Sequence, residues 1–535
     1  MYLLLNTFWF LWMLKYVLFW LYLWQLKEYH VGRFVDHFRT YKGKKLLFSF
    51  AQIFKLVLLI FLFLGNSLFI YSVFILFLVY FAEFLIFLRS IYSKTFKKPK
   101  ITLKIIFLAL ASFAVIILFL NWTLKLKDEF QPGWLLAFDI STPLIVSIIV
   151  LLFQPFFVII RNSTLKKAKN KIEKIKSASG LRVVAITGSY GKTSTKEFLS
   201  TILSKKFKVL STKEHQNSEI GVAKRILEDL RPSHQIFIAE VGAYNKGKVK
   251  EVCSILKPSI GIVTGVNEQH LALFGSLENL LSAEGGRELA EFLEKDGLLV
   301  VNGDNKHCLD LIKKFNGEER IYSENNRTLN SDIWAEDISI RKNFISFLAR
   351  NKKGELADFR ANVLGKQNVQ NLLASVLVAR ELGMDFGEIS DACKNIKQEA
   401  AGIVQKHGKH GIDIIDSSYS ANPDGVLADL DYLSIFPQKK VIVMPCLIEL
   451  GKKSSEIHKK IGRKIGEVCD LAIITSKDNF KELKKGVMEA GIAEKDILLC
   501  DNPQEIYSAI TLFCKSGDAV LLEGRIPAGL INLLK

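Results

Sequence analysis

The chain has 535 residues, with 72 Lys and Arg against 54 Asp and Glu, a formal charge of +18 and 49% hydrophobic residues. At roughly 100–200 residues per domain, that length holds two to four domains. The apolar residues crowd into the first third, which argues against a wholly water-soluble enzyme, and much of the excess positive charge flanks the apolar runs, where membrane topology explains it better than nucleic-acid binding does.

A membrane-crossing helix needs about 20 mostly apolar residues, and five stretches are candidates: 2–25, 46–64, 67–88, 105–122 and 134–160. The first lacks the basic start and small-residue cleavage site of a removable leader, and more apolar runs follow it. Lys27, Arg33, Arg39, Lys42, Lys44 and Lys45 fall between the first two runs. Arg89, Lys94, Lys97, Lys98, Lys100 and Lys104 fall between the third and fourth, and Arg161, Lys166, Lys167, Lys169, Lys171, Lys174 and Lys176 follow the fifth. The remaining side receives only Gly65-Asn66 and a mixed loop with Lys125, Lys127, Asp128 and Glu129. With five spans the three basic groups share one side, which the positive-inside rule makes cytoplasmic. The expected layout is a multi-pass protein of the plasma membrane with its N-terminus outside and the rest of the chain in the cytoplasm, where ATP is. Lys15, Lys55 and Glu83 lie inside spans, where a charge marks a functional site unless it snorkels or pairs within the bundle. Pro143 and Pro155 predict kinks in the last span.

Residues 161–180 read as a basic linker. Then a short Val-rich run, 181–186, reads as a buried parallel strand. It leads into Thr187-Gly188-Ser189-Tyr190-Gly191-Lys192-Thr193-Ser194-Thr195 and a helical stretch from Lys196. Strand, glycine turn, Lys-Thr and helix form a phosphate cradle. Glycines let backbone N–H groups face phosphate oxygens, and the helix start adds partial positive charge. Lys192 is placed to reach the β- and γ-phosphates of ATP, and the Thr193 hydroxyl to ligate Mg²⁺. The long form of this motif has one more Gly, at the position of Ile186, so this is the short Gly-x-x-Gly-Lys-Thr loop. Glu240 ends another apolar strand, 236–240, whose C-terminal edge belongs beside the phosphate turn, and a carboxylate there suits a hard cation.

This short loop resembles that of the Mur ligase family, and further segments in chain order resemble its MurF branch. They are Asn217-Ser218-Glu219-Ile220-Gly221, the strand ending Glu240-Val241-Gly242-Ala243, and 257–264 followed by His270-Leu271 and Phe274-Gly275-Ser276. Then come Asn302-Gly303-Asp304-Asn305, Gly365-Lys366-Gln367-Asn368-Val369-Gln370-Asn371, Asp416 through Pro423, and Glu449-Leu450-Gly451 with His458. The likeness covers about 180–535. It implies an ATP- and Mg²⁺-dependent amide-bond ligase working through an acyl phosphate. Its partners would be a cell-wall precursor peptide and an amino acid or dipeptide; the apolar runs add the lipid bilayer as a partner of the N-terminal part, and no nucleic-acid fold signature is present. It implies nucleotide contacts at Gly188, Ser189, Tyr190, Gly191, Lys192, Thr193, Ser194, Asn302, Asp416 and Asn422. Lys192, Glu240, His270 and Glu284 would serve catalysis, and Thr193, Glu240, His270 and Glu284 would hold metal.

The chain departs from the family pattern at several places. Glu284 stands where many members have a carbamoylated Lys, and a Glu supplies the oxyanion directly. Gly265 replaces an Asn, Gln367 a His, Ile403 an Arg near the hinge between domains, and Glu523-Gly524-Arg525 a Lys-Gly-Ser. The expected fold is a five-span α-helical membrane domain (1–160), the basic linker (161–180), an α/β central ATP-binding domain (181–400) and a doubly wound, Rossmann-like C-terminal domain (401–535). The C-terminal strands are expected at 412–415, 440–444, 471–475, 497–499 and 519–522. The seven cysteines show no CxxC pair and read as reduced, mostly buried thiols. Two alternatives remain. One is a related amino-acid ligase acting on a lipid-linked substrate. The other is a degenerate, ATP-binding membrane scaffold.

Overall fold

A computed structural model describes residues 1–64, 69–93, 95–127, 129–213, 216–243, 245–267, 270–324, 331–418, 421–448 and 450–535. Gly65, Asn66, Lys94 and Asp128 of the topology reading, and Tyr419, Ser420 and Glu449 of the family-like segments, lie outside the described residues. The chain divides into two compact units, Met1–Asn162 and Ser163–Lys535.

Among the described residues the first unit has five helices long and apolar enough to cross a membrane. They are α1 (Tyr2–Leu26), α2 (Phe50–Leu64, the longer part of the apolar stretch Gly43–Phe63), α3 (Phe69–Tyr92), α4 (Leu103–Thr123) and α5 (Gln131–Leu152). α1 lies at the centre, with Trp9, Trp20 and Trp24 buried. A buried indole N–H usually finds an acceptor, and those of Trp9, Trp12 and Trp24 do. Trp9 Nε1 donates to the Leu135 carbonyl at 2.9 Å, Trp12 Nε1 to Asp139 Oδ1 at 3.0 Å and Trp24 Nε1 to Ser147 Oγ at 3.1 Å, all on α5. The fifth apolar run, expected at 134–160, is two helices. α5 ends at Leu152 and α6 (Gln154–Ser179) starts afresh, because Pro155 has no N–H to continue the ladder.

Three of the intramembrane charges are paired within the helix bundle. Lys55 Nζ sits 2.6 Å from Asp139 Oδ2 and 2.8 Å from Glu83 Oε1, and the Tyr80 hydroxyl donates to Asp139 at 3.2 Å. Lys15 lies over the Trp12 ring, 4.5 Å from its centroid. Asp139, which the sequence reading passed over, is the acid that completes the cluster. Lys55→Met strands two carboxylates in an apolar bundle and is expected to cost about 3–5 kcal/mol, read as a lower thermal-unfolding midpoint in detergent. An unchanged midpoint would show that the cluster holds nothing together.

The second unit begins inside α6. Leu165, Ala168, Ile172 and Ile175 follow helical spacing and are buried, so the stretch expected as a basic linker is the amphipathic half of a helix. Its many Lys residues hid that stripe. Each large apolar side chain buried there contributes about 1.5–3 kcal/mol.

The larger sheet has nine strands: β1 (Arg182–Thr187), β2 (Val209–Ser211), β3 (Ile236–Glu240), β4 (Ile260–Val263), β5 (Leu298–Asn302), β6 (Glu318–Ser323), β7 (Ile333–Ile340), β8 (Ile345–Asn351) and β9 (Leu356–Ala361). Their order is β2-β3-β1-β4-β5-β6-β7-β8-β9, parallel from β2 to β7 and antiparallel across β7-β8-β9. Alternate residues feed two cores. Val184, Ile186, Ile238 and Ile262 pack with helices Lys192–Leu203 and Gln367–Glu381, while Val183, Ala185, Phe237 and Ala239 pack on the face that carries α6. The smaller sheet contains β10 (Val404–His407), β11 (Asp413–Ser417), β12 (Lys440–Met444), β13 (Leu471–Ile474), β14 (Ile497–Leu499) and β15 (Ala519–Glu523), ordered β10-β11-β15-β12-β13-β14. It too is covered on both faces, so the doubly wound reading holds. All seven cysteines are free, and six are buried.

Candidate functional site

β1 is flanked by β3 and β4, so the chain leaves it from the middle of a parallel sheet. The turn that follows is tightly enclosed. Gly188 has φ +140°, and a Cβ there would lie 2.2 Å from Thr264 Oγ1. Gly265 has φ +148°, and a Cβ there would lie 2.2 Å from the Tyr190 hydroxyl, which explains the Gly found in place of an Asn. Gly191, with φ +74°, caps the helix Lys192–Leu203. The Lys192 ammonium donates to the Gly188 carbonyl and, at 3.3 Å, to that of Ser189. Ser194 lies in the first helical turn and is partly exposed.

The β1–β3 register sets Ile186 opposite Glu240, which places the Glu240 carboxylate beside the turn. Thr193 Oγ1 donates to Glu240 Oε2 at 3.0 Å, and Asn217 Nδ2 donates to Oε1 at 3.0 Å. Lys196, fully buried, has its ammonium 3.4 Å from the same Oε2 and 3.1 Å from Glu197 Oε1. A hydroxyl and a carboxylate oxygen in contact at the start of a helix form a hard-oxygen set that fits Mg²⁺ beside phosphate.

A second carboxylate meets the other end of the turn. Glu284 follows the helix Leu277–Ala283 and is 2% exposed. Ser189 Oγ donates to its Oε2 at 2.6 Å, and His270 Nδ1 contacts its Oε1 at 2.8 Å. Burial pushes the Glu284 carboxyl up, but the His270 hydrogen bond and charge, the Lys192 ammonium and the Ser189 hydroxyl together hold it below the ordinary Glu value. An ionised carboxylate only accepts, so His270 Nδ1 carries a proton in this contact. Glu284, expected as a direct metal ligand, has both oxygens on protein donors, as Glu240 does. Among the described residues no three His, Cys, Asp or Glu side chains gather as a metal cluster. The acids come as two sets, Glu240 with Thr193 and Glu284 with His270.

The remaining expected residues separate. Asn302 is 1% exposed, and its amide nitrogen donates to the Thr264 carbonyl at 2.9 Å and Gln370 Oε1 at 3.1 Å, so it braces the turn from behind. The Tyr190 hydroxyl accepts from Asn305 Nδ2 at 3.3 Å, and burial raises its pKa. Asn422 caps the helix Pro423–Leu433 by accepting from Gly425 N at 3.0 Å. Asn267, not anticipated, links the layers. Its backbone N–H donates to Ser189 Oγ at 3.2 Å, and its side-chain amide donates to Asp424 Oδ2 at 2.9 Å and Asn422 Oδ1 at 3.3 Å. His458 is wholly buried and structural. It accepts from Leu447 N at 2.9 Å, and burial lowers its pKa.

Asp416 binds the Lys406 ammonium and the Ser418 hydroxyl, and accepts from Ser418 N at 3.2 Å. Lys406 is the cation near the hinge, where Ile403 packs into the core. Burial pushes the Asp416 carboxyl up, but Lys406 and Ser418 outweigh it and hold the pKa below the usual Asp value. An acid depressed on folding stabilises above its unfolded pKa, about 3.9, and loses that contribution as pH falls through the folded value. Lys406→Met is therefore expected to lower the unfolding midpoint at neutral pH, with the deficit fading in acid below that range. A deficit that stays constant with pH would count against the pair.

Residues 186–379 match the Mur ligase middle domain, and residues 403–526 match the Mur ligase glutamate ligase domain. The chain is 29% identical over 281 residues to UDP-N-acetylmuramoyl-tripeptide--D-alanyl-D-alanine ligase of Escherichia coli, a match covering 52% of this chain and 61% of that one. The enzyme of the same name from Mycobacterium leprae is 25% identical over 384 residues, covering 66% and 72%. The chain thus spans about three fifths of the E. coli relative's length. The fold is similar to that of MurF from Acinetobacter baumannii, with a TM-score of 0.61, 24% identity and coverage of 70% and 79%. It is also similar to that of MurF from Thermotoga maritima, solved with ADP, with a TM-score of 0.59, 24% identity and coverage of 68% and 80%. The two domain matches together take up more than half of the sequence, and the chain belongs to the Mur ligase family.

Proposed function

We propose that the chain is an ATP- and Mg²⁺-dependent ligase that joins an amino acid or dipeptide to the peptide of a cell-wall precursor. The observation that carries this reading is a single turn with a hydroxyl at each end, each bound to a buried carboxylate: Thr193 to Glu240 and Ser189 to Glu284. The curated relatives bear the name of a ligase that adds D-alanyl-D-alanine to a UDP-N-acetylmuramoyl-tripeptide.

In the proposed reaction a substrate carboxylate oxygen attacks the terminal phosphorus of ATP, ADP leaves, and an acyl phosphate forms. An amine nitrogen then adds to the acyl carbon, phosphate departs with the C–O bond electrons, and the nitrogen loses a proton to give the amide. Lys192 exchanges the carbonyls of Gly188 and Ser189 for phosphate oxygens and balances the moving charge. Bound Mg²⁺ supplies Lewis-acid stabilisation of that charge. Thr193 and Glu240 would hold one cation, and His270 Nε2 a second, with Glu284 fixing the His270 tautomer. Asn422 and Asp416 belong to the C-terminal layer that closes on the nucleotide, excluding water from the acyl phosphate.

The five apolar helices would hold the chain in the plasma membrane with the catalytic layers in the cytoplasm. We further propose that they present a lipid-linked or membrane-proximal precursor. A chain shortened to residues 163–535 that ligates a soluble UDP-linked peptide at full efficiency would reduce the helices to a tether.

ADP release that depends on a muramoyl peptide and an amine is the direct test. Lys192→Ala is expected to weaken nucleotide binding and to cut turnover by about 100-fold or more. Release of no ADP with any precursor would instead favour a nucleotide-binding scaffold. Glu284→Ala is expected to lower kcat by at least about tenfold. Activity should not change when CO₂ is stripped from the buffer, because Glu284 needs no carbamate. A bicarbonate requirement would refute that part.

A further inference from the structure

Lys196 reads as one more Lys on a soluble helix, yet it is fully buried. Its ammonium lies 3.4 Å from Glu240 Oε2, the oxygen that also accepts from Thr193. The other neighbour, Glu197, keeps a third of its side chain exposed and is screened by solvent. Burying an ammonium is costly unless it is paired, so the chain retains Lys196 against a penalty that a Leu or Met would avoid.

We infer that Lys196 is a built-in counter-cation that keeps the Glu240–Thr193 site from taking a free divalent ion, so that the metal enters only together with nucleotide phosphates. This rests on the proposed use of Glu240 and Thr193 for a cation. The physics is a count of charges. Glu240 carries one negative charge, and Lys196 cancels it from contact distance. Lys192, one turn earlier, lies next to the carbonyls of Gly188 and Ser189, and its charge is offset by nearby Glu284. A bare dication approaching Glu240 therefore meets a carboxylate whose charge Lys196 already offsets, with that ammonium fixed beside it. The triphosphate of ATP brings the negative charge the pocket lacks, and the cation arrives already partly neutralised. Asn217 and Thr193 orient the carboxylate by neutral hydrogen bonds, so orientation does not depend on Lys196 alone. Lys196 is thus a positioning and tuning residue, not a catalytic one.

The consequence is a gain of binding that a merely structural role does not produce. Mn²⁺ titrated into the full-length protein in detergent without nucleotide, followed by electron paramagnetic resonance, is the measurement. The parent chain is expected to bind free Mn²⁺ weakly and to bind it far more tightly once ATP is added. Lys196→Met is expected to bind free Mn²⁺ at least about tenfold more tightly than the parent. Adding Glu240→Gln to Lys196→Met is expected to abolish the gain, which locates the new affinity at that carboxylate. Should Lys196→Met fail to fold, Lys196→Gln keeps a polar head beside Glu240 and Glu197 and is read by the same criterion. Equal or weaker Mn²⁺ binding in a folded Lys196 variant overturns the inference, as does tight binding of free Mn²⁺ by the parent. Turnover is not needed for this reading. A parent that shows no ligase activity, while Lys196→Met gains Mn²⁺ affinity through Glu240, would sink the ligase proposal and leave this inference standing.

Discussion

Two hydroxyls of one turn, on Ser189 and Thr193, are each tied to a carboxylate that is almost wholly removed from water. An unpaired carboxylate so placed costs several kcal/mol, so each acid requires its own set of donors. Glu240 has Thr193, Asn217 and Lys196; Glu284 has Ser189 and His270, with Lys192 close enough to lower its pKa. The turn cannot shift without exposing or stranding one of them. This constraint explains the crowding around it, where Thr264 fills the space that a side chain at Gly188 would claim and Tyr190 the space at Gly265, while Asn302 holds the Thr264 carbonyl.

The parallel sheets supply the geometry. β1, β3 and β4 run the same way, so Thr187, Glu240 and Val263 come to one edge of the larger sheet. In the smaller sheet β11 and β15 likewise bring Ser417 and Glu523 side by side. Ligands of such sheets bind beyond the C-terminal strand ends, and here one residue joins the two edges. Asn267 gives its backbone N–H to the phosphate turn and its side chain to the start of the helix Pro423–Leu433. A shift of the C-terminal layer is therefore felt at Ser189, and through Ser189 at Glu284.

Much of this was legible in the residues. The apolar runs, the strand–turn–helix at 181–203 and the alternating pattern after 411 each carry a local period or a glycine signature that survives folding. The reading failed where side-chain chemistry and position disagree. Seven basic residues masked the apolar stripe Leu165, Ala168, Ile172 and Ile175. Lys196 and Asp139 are charged residues in buried places, and only tertiary contacts reveal their partners. Asp139 did carry a signal, an acid within an apolar run, whereas Lys196 carried none. Asn302 and His458 lie within family-like segments, and spacing alone does not show that Asn302 donates to the Thr264 carbonyl or that His458 accepts from Leu447 N.

The departures from the family pattern are also not independent. Gln367, in place of a His, donates to Asp429 Oδ1 at 3.0 Å. Ser417 donates to the other Asp429 oxygen. Glu523, in place of a Lys, neighbours Ser417 across the β11–β15 ladder and hydrogen-bonds the same Asp429. Burial first, then the charge of Asp429, push the Glu523 carboxyl well above the usual carboxylate range. Glu523 from the smaller sheet and Gln367 from the larger layer thus both meet Asp429 without bringing a positive charge. The two replacements therefore converge on one buried acid. Loss of the Lys does not by itself argue that the phosphate site has decayed, because Lys192 still stands at the phosphate turn and Lys406 beside Asp416.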